Sequence, residues 1–340
     1  MAHKHRIIYN GSHFPFLGEL SKFFVTGGLF RQLRGELVDR LLTWRQRPRS
    51  SLKAYLRLVN LELTNYCNQR CRYCATGLNN NKRPRGKLDL ATFKRVAADL
   101  PPTAALFFAG FGEPFLHEQL EEFLEYAAVS RLAARLDIYS NFGPPSEERI
   151  RHLLDQRFRR LIITLDSLDR QTFIEQKGVD EFEKVFNNIK VLADEVKKRK
   201  RLSQHIIVQM IVTKKTLDER QKFIETITAL NLEPRLKKLN VHSPRLDENK
   251  IREFEVPELS RYSHQGYSRR CEWLWGGLQV YWNGDVSICC QDPTGLSTYG
   301  NVLQASPMDL LNSDAGRCEF RRQYFEDPGQ IAICRTCDIA

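Results

Sequence analysis

The chain has 340 residues, 42% of them hydrophobic and 27% charged, which is enough for one large or two modest globular domains and excludes a disordered tail or a fibre. No apolar run reaches the roughly 18 to 20 residues of a membrane span, and charged residues interrupt the amino-terminal segment, so we expect a cytoplasmic protein without a membrane span or signal sequence. The nine cysteines cannot all pair, and in a reducing compartment they indicate metal ligands rather than disulfides.

The formal net charge of +11 is concentrated at the amino-terminal end, where residues 1–57 hold eleven Lys or Arg against three acidic residues. Apolar residues recur there at three- and four-residue steps, which is typical of an amphipathic helix: Phe30, Leu33, Leu37, Leu41 and Trp44. A helix with a solvated basic face explains this segment most simply, and a surface for phosphate, an acidic partner or a membrane is the alternative. We expect a basic, mainly helical extension over residues 1–55.

From about residue 56 the chain alternates short β-rich runs with helix-length stretches. Six strands are predicted over residues 58–63, 105–109, 136–139, 161–165, 206–212 and 236–241. Helical patterns lie between them over residues 90–100, 119–128, 147–154 and 219–230. This alternation predicts an α/β fold with a parallel sheet, doubly wound or curled into a partial barrel, and an active site at the C-terminal ends of the strands.

The pattern changes after about residue 245. Residues 278–282 and 286–289 flank the turn Asn283-Gly284-Asp285 and predict a β-hairpin. Ser306 followed by Pro307 predicts the start of a short helix. We therefore expect a main domain over residues 56–245 and a small hairpin and helix domain over residues 246–340.

Three cysteines follow the first predicted strand with C-x3-C-x2-C spacing: Cys67, Cys71 and Cys74. Three thiolates this close together can hold one face of a four-iron-four-sulfur (4Fe-4S) cluster and leave one iron without a protein ligand. A zinc knuckle is the alternative, but structural zinc requires four ligands, and the next twenty residues contain no further Cys or His.

This array resembles that of the radical S-adenosylmethionine (SAM) superfamily, and four further motifs extend the resemblance. Tyr73 matches the position that lies against the adenine, and the turn 110–114 is similar to the turn that meets the methionyl ammonium. Residues 140–143 look like the ribose-binding end of the third strand, and residues 164–167, followed by 176–178, resemble the motif after the fourth strand. Relatives often carry Arg at the position of Lys177. A guanidinium can bind the SAM carboxylate through two parallel hydrogen bonds, whereas the ammonium of a Lys binds it as a single charge. The resemblance implies a SAM-binding set of Tyr73, Gly110, Gly112, Glu113, Pro114, Ser140, Asn141, Asp166 and Lys177.

The resemblance also implies the fold and the chemistry. The expected fold is a partial (β/α)6 TIM-like barrel over residues 56–245, with a 4Fe-4S cluster and SAM as cofactors and a flavodoxin- or ferredoxin-like electron donor as partner. Reductive cleavage of SAM then gives methionine and a 5'-deoxyadenosyl radical, which takes a hydrogen atom from an unactivated carbon. The protein itself orients the substrate and excludes water.

A second set of cysteines lies in the C-terminal region. Cys271 and Cys289 flank the predicted hairpin, and Cys334 and Cys337 form a terminal C-x2-C, so four thiolates are present that can close an auxiliary cluster. The arrangement resembles the SPASM/twitch extension of radical SAM enzymes, and its shorter form with one auxiliary 4Fe-4S cluster fits better. A structural zinc ribbon with the same ligands is the alternative.

Cys290 and Cys318 remain. Cys290 adjoins Cys289 and could replace it as a ligand, and the arginines around Cys318 could lower the pKa of its thiol. The simplest interpretation is that both are small buried hydrophobic residues. The alternative is a catalytic role, in which one of them returns a hydrogen atom to a substrate radical, as an epimerase requires.

Relatives with this layout oxidise or epimerise small molecules such as sugars and aminocyclitols, or they modify ribosomally made peptides. The region before the first strand is short for a module that grips a leader peptide, which favours a small molecule. His242, at the end of the sixth predicted strand, is either a base or a packed side chain. A more distant alternative is a zinc-bound, nucleic-acid-binding protein, although the basic charge lies mostly outside the cysteine regions.

Overall fold

The computed structural model describes residues 54–78, 82–101, 104–199, 204–239, 253–256, 271–335 and 337. All of them belong to one compact unit. The expected amino-terminal helix and His242 lie outside the described residues. None of the helices in the described part combines the length and the apolar character needed to cross a membrane.

The six predicted strands are present and form one parallel array. They are β1 (Leu58–Leu61), β2 (Ala105–Phe108), β3 (Leu136–Ser140), β4 (Arg160–Thr164), β5 (His205–Val212) and β6 (Glu233–Lys238). Each strand pairs in parallel with the next one in sequence, so the sheet grows in one direction, as in a barrel, rather than outward from a central switch point. This confirms the expected α/β fold of the partial-barrel type.

Helices connect consecutive strands. They are α1 (Leu90–Ala98), α2 (Leu120–Val129), α3 (Glu147–Leu153), α4 (Arg170–Lys177), α5 (Phe182–Lys198) and α6 (Arg220–Ala229). Three of these helices begin at an Asp or Ser whose side chain accepts a backbone hydrogen bond: Asp89, Ser146 and Asp169. Gly178 ends α4 in the left-handed conformation, where a glycine is favoured.

Strand β6 begins and ends three residues earlier than the sequence predicts. Pro234 and Arg235 pair with Val208 and Gln209 of β5, although neither residue has an apolar pattern to mark it as a strand. Only Leu236 of this strand joins the hydrophobic core. The apolar signal was therefore too weak to locate the strand.

The two faces of the sheet differ in chemistry. Val59, Leu61 and their counterparts on the other strands pack with the helices in one large apolar core. Because side chains alternate along a strand, the residues between them lie on the opposite face, which we call the inner face. It carries polar side chains on several strands: Asn60, Glu62, Tyr139, Gln209, Arg235 and Gln279.

The C-terminal region adds three strands to the same sheet. These are β7 (Gly277–Val280), β8 (Asp285–Ser287) and β9 (Thr298–Asn301), with helices α7 (Glu272–Gly276), α8 (Pro307–Leu311) and α9 (Glu319–Glu326) around them. The predicted hairpin and the helix that begins after Ser306 are present. Strand β7 pairs in parallel with β1, so the hairpin continues the main sheet, an arrangement that the sequence did not indicate.

Candidate functional site

Cys67, Cys71 and Cys74 lie in the loop that follows β1, which we call the cysteine loop (residues 64–78). Within it, the backbone N–H of Cys74 donates to the Cys71 carbonyl over 3.1 Å. The loop also docks on the end of α4, where Arg70 N–H donates to the Lys177 carbonyl over 2.9 Å. The last turn of α4 therefore fixes the loop that carries the three thiols.

The three thiols lie close enough to affect one another. Burial raises the pKa of Cys67, and the neighbouring Cys71 thiol and the Glu113 carboxyl raise it further. Burial also raises the pKa of Cys71 to about 12. Buried thiolates crowded in this way need a cationic partner, which the iron ions of a bound cluster supply, so the donor set fits a cluster.

The zinc alternative has less support from the geometry. In the described ranges, no three Cys, His, Asp or Glu side chains gather around one point as a single metal ion requires. A cluster of four irons is larger than one zinc ion and holds its thiolates further apart. The three thiols interact with one another without forming such a group, which suits the larger cluster better.

The glycine-rich turn packs directly on the cysteine loop. A Cβ at Gly112 would overlap the carbonyl oxygens of Thr64 and Tyr66. Directly after it, the backbone N–H of Glu113 donates to the Tyr66 carbonyl over 2.8 Å. Gly110 has a φ of 148°, which L side chains rarely adopt, and a Cβ there would meet Glu62. Gly112 is therefore required by close backbone approach, and Gly110 by its φ and its contact with Glu62.

Glu113 is buried and braces the end of β3. Its carboxylate accepts hydrogen bonds from Ser140 Oγ and Asn141 N, both over 2.7 Å, and from Phe115 N over 3.0 Å. Burial raises the pKa of Glu113 to about 7, against the lowering effect of these hydrogen bonds. Glu113 thus holds Ser140 and Asn141 in place, whether or not it also meets the ammonium of SAM.

Asn141 joins the end of β3 to the cysteine loop. Its Nδ2 lies 2.9 Å from Asn68 Oδ1 and 3.7 Å from Cys67 Sγ. Its Oδ1 accepts from Gly143 N–H over 2.9 Å, which fixes the orientation of the amide. The structure thus brings the predicted ribose-binding strand end next to the first cysteine.

Tyr73 of the cysteine loop forms one buried network with Asp166 and Lys177. Asp166 Oδ2 accepts from Tyr73 OH over 2.6 Å and pairs with Lys177 Nζ at 2.7 Å. Although burial alone would lower it, Asp166 and Cys71 hold the pKa of Lys177 above its usual range. Lys177 is therefore a permanent cation near Cys71 that Asp166 already engages, and its contact with the SAM carboxylate stays a prediction.

Gln176 is a neighbour of this network that the sequence analysis missed. It is fully buried, and its Oε1 lies 3.3 Å from Tyr73 OH. Its Nε2 has no hydrogen-bond partner among the described residues. Only its position next to Lys177 in the motif could have indicated it.

The four predicted auxiliary ligands also converge. Cys271 directly precedes α7 and Cys289 follows β8, and both pack on the small apolar cluster that contains Cys334. Burial raises the pKa of Cys334, and the thiols of Cys289, Cys271 and Cys337 raise it further. Burial likewise raises the pKa of Cys271 to about 11. This set of four thiols fits a fully ligated cluster.

Cys290 and Cys318 lie beside this set. Cys290 forms a hydrogen bond with Cys289, which raises the pKa of Cys289. Cys318 Sγ lies 3.8 Å from both the Asn312 carbonyl oxygen and Arg321 Nη1. The structure thus places both near the C-terminal cysteines, and the catalytic role considered for them stays a prediction.

Either Cys289 or Cys290 supplies one ligand of the auxiliary set. Because the Cys289 thiol is the one that interacts with Cys334 and Cys271, C289A should lower the iron content of the anaerobically reconstituted protein from about eight to about four. C290A is the matched control and should retain about eight. The reverse pattern in iron and sulfide assays would show that Cys290 is the ligand.

Glu62 and Arg83 form a buried ion pair that the sequence analysis also missed. Arg83 Nη1 and Nη2 donate to the two Glu62 oxygens over 2.8 and 2.7 Å, and Arg83 Nε donates to the Pro293 carbonyl over 3.0 Å. Its guanidinium carbon lies 3.8 Å from the ring centroid of Tyr281. The pair therefore links β1 to the C-terminal region, and the polar alternation Asn60, Glu62, Thr64 in an apolar strand was its only sequence signal.

Comparison with known proteins identifies the family. Residues 61–227 match the model of the radical SAM superfamily, and residues 271–338 match that of the SPASM iron-sulfur cluster-binding domain. GTP 3',8-cyclase of Mycobacterium ulcerans is 33% identical over 34% of this chain and 32% of its own length. S-adenosyl-L-methionine-dependent 2-deoxy-scyllo-inosamine dehydrogenase of Niallia circulans is 28% identical over 32% of this chain and 44% of its own length. Each of these relatives is therefore matched over less than half of its length.

Solved structures share the fold over most of the chain. BtrN in complex with AdoMet and 2-DOIA has a TM-score of 0.56 at 18% identity and covers 84% of this chain and 94% of its own. Streptococcus suis SuiB bound to S-adenosylmethionine has a TM-score of 0.60 at 12% identity and covers 90% of this chain and 77% of its own. With both family models matched in the expected order, the chain belongs to the radical SAM superfamily, is an enzyme with a 4Fe-4S cluster and SAM as cofactors, and carries a C-terminal SPASM domain for auxiliary iron-sulfur binding.

Proposed function

We propose that this enzyme abstracts a hydrogen atom from an unactivated carbon of a polar small molecule, such as a sugar or an aminocyclitol, and that the product is oxidised or epimerised. The observation that carries the proposal is the inner face of the sheet. Asn60 Oδ1 and Arg235 Nε are buried on this face and have no hydrogen-bond partner among the described residues. Buried polar atoms are almost always paired, so a substrate with several hydroxyl or amino groups is the partner that suits them.

The inner face also reaches the cysteine loop. Ile211 lies on it, two positions along β5 from Gln209, and packs, as Cys71 does, on the small apolar cluster that contains Tyr73. Gln209 stands opposite Arg235 in the sheet, and its Nε2 donates to Thr164 Oγ1 over 2.9 Å. A molecule held by these side chains would lie directly below the residues assigned to SAM.

Each part of the chain then has a distinct task. When bound, SAM and the reduced cluster supply the radical that removes the hydrogen atom. Cys67, Cys71 and Cys74 hold the cluster. Glu113, which follows β2, holds the end of β3 in position for the cofactor. The division into a core over residues 56–245 and an auxiliary-cluster domain over residues 246–340 is part of this proposal, as is a flavodoxin- or ferredoxin-like electron donor.

Two of the similar proteins bear on the substrate. The name of the Niallia circulans relative gives a 2-deoxy-scyllo-inosamine dehydrogenase, which acts on an aminocyclitol. SuiB has been solved with a precursor peptide, SuiA, and represents the alternative of a peptide-modifying enzyme. We favour the small molecule because the orphaned atoms are buried side-chain atoms on the inner face of the sheet.

The test is anaerobic reaction of the reduced enzyme with SAM and panels of deuterated sugars, aminocyclitols and peptides. We expect deuterium to pass into 5'-deoxyadenosine from a sugar or an aminocyclitol, with one SAM consumed for each product. Asn60→Leu, which removes an orphaned acceptor, should weaken substrate binding while leaving uncoupled SAM cleavage intact. Transfer of deuterium from peptides alone would overturn the proposed substrate class and favour the peptide-modifying alternative.

A further inference from the structure

Two arginines in the C-terminal region are buried without a carboxylate. Arg317 has an exposed fraction of 0% and Arg321 one of 5%. Among the described residues, neither forms a salt bridge, whereas the neighbouring Arg322 is exposed and pairs with Glu319 at 2.7 Å. Buried cations are normally paired with an anion, so two of them together call for a source of negative charge.

Apart from the Cys318 thiol, which lies 3.8 Å from Arg321 Nη1, the hydrogen-bond partners of the two arginines are backbone carbonyls. Arg317 donates from Nε to the Leu274 carbonyl over 2.9 Å and from Nη2 to the Trp273 and Gly277 carbonyls. Arg321 donates from Nη2 to the Leu311 carbonyl over 2.9 Å. These carbonyls satisfy hydrogen bonds but do not neutralise the two charges.

Part of the hydrogen-bonding capacity is also unused. Arg317 Nη1 and the hydroxyl of Tyr299 are buried, and neither forms a hydrogen bond of normal geometry among the described residues, although the two side chains lie close enough to interact with each other. The guanidinium of Arg317 lies 5.6 Å from the ring centroid of Tyr299, and that of Arg321 lies 5.0 Å from Trp275. Donors are therefore still available at this place.

The arginines lie beside the auxiliary ligands. The carbonyls that Arg317 binds belong to α7 and to the start of β7, and Cys271 is the residue from which α7 begins. Burial raises the pKa of the Cys271 thiol, and the charge of Arg317 partly opposes this. Trp275 and Tyr299 pack on the same small apolar cluster as Cys271, Cys289 and Cys334.

We propose that Arg317 and Arg321 are the buried counter-charge of the auxiliary iron-sulfur cluster and raise its reduction potential. A 4Fe-4S cluster ligated by four thiolates is an anion, and its potential depends on the net charge around it. Each added electron makes the site more negative, so two nearby fixed cations stabilise the reduced form more than the oxidised form.

The functional consequence rests on the proposed oxidation of a substrate. A substrate radical becomes the oxidised product when it gives one electron to the auxiliary cluster and one proton to solvent. A raised potential favours this transfer. The charge assignment itself needs no substrate and is tested separately.

The test is a redox titration of the anaerobically reconstituted full chain without substrate, followed by electron paramagnetic resonance. For R317Q and R321Q we expect the oxidised-to-reduced ratio of the auxiliary cluster at a fixed potential to rise at least tenfold, a shift of about 59 mV to lower potential. R321K keeps the charge and should stay close to the wild-type potential. The exposed control R322Q and the SAM-binding cluster should not shift.

The cluster content and the potential of the variants together decide whether the two arginines act through their charge. Loss of the auxiliary cluster from R321Q with retention in R321K would also support the counter-charge, because Lys keeps the positive charge of Arg321 and Gln removes it. An unchanged potential in R317Q and R321Q with full iron content would overturn the proposal. Equal loss of the cluster from R321Q and R321K would also overturn it, because the role would then be packing.

Discussion

Replacing Cys71 with serine should abolish reductive cleavage of SAM, with 5'-deoxyadenosine falling to the background of the reaction without enzyme. Cys71 lies between two other thiols in a loop that supplies only three ligands, so losing one leaves the cluster with two. The iron content of the reconstituted protein should fall from about eight to about four, because the auxiliary set is untouched. Iron and sulfide assays and chromatography of 5'-deoxyadenosine measure both effects.

Cys318→Ser is the matched control for this prediction. It removes a cysteine that lies outside both proposed ligand sets, at 3.8 Å from Arg321, and should retain both the iron and the cleavage of SAM. The assignment of the cysteine loop would be wrong if C71S cleaved SAM at the wild-type rate. Loss of iron from C318S with wild-type iron in C71S would equally contradict it.

The sequence predicted the parts of this site that are local in the chain. Cys67, Cys71 and Cys74 form a contiguous motif, and the residues at the ends of β2, β3 and β4 each follow a strand that its own apolar run predicts. Parallel strands bring their C-terminal ends to one edge, so the motifs meet there without further information. The contacts of Glu113 with Ser140 and of Tyr73 with Asp166 follow this logic.

Other contacts depend on packing between distant segments, and no local pattern reveals them. The pairing of β7 with β1 joins strands more than two hundred residues apart, and nothing in either strand specifies its neighbour. Arg317 and Arg321 look like ordinary charges on a helical segment until the fold buries them against α7. Charged residues are usually exposed, so sequence reasoning assigns such arginines to the surface.

The ion pair of Glu62 and Arg83 depends on the same join between β1 and the C-terminal region. Glu62 has a fully buried side chain and Arg83 one that is 10% exposed. Arg83→Met should leave the Glu62 carboxylate buried without its partner, which costs about 3 to 5 kcal/mol of unfolding free energy. Urea unfolding of the anaerobic holoprotein, followed by tryptophan fluorescence, measures the loss as a lower midpoint.

The double variant separates the lost pair from the lost packing. In E62Q/R83M the remaining side chain is neutral, so the midpoint should recover part of the way toward the wild-type value, because most of the cost in R83M comes from the unpaired carboxylate. Arg170→Met, which breaks an exposed pair with Asp180, should leave the midpoint unchanged.

If R83M unfolded at the wild-type midpoint, Glu62 would have to be solvated or protonated, and the link between β1 and Pro293 would not stabilise the fold. A double variant less stable than R83M would instead show that packing of Arg83 against Tyr281 and of Glu62 against Gly110 provides the stability, because removing the charge of Glu62 would then not raise the midpoint.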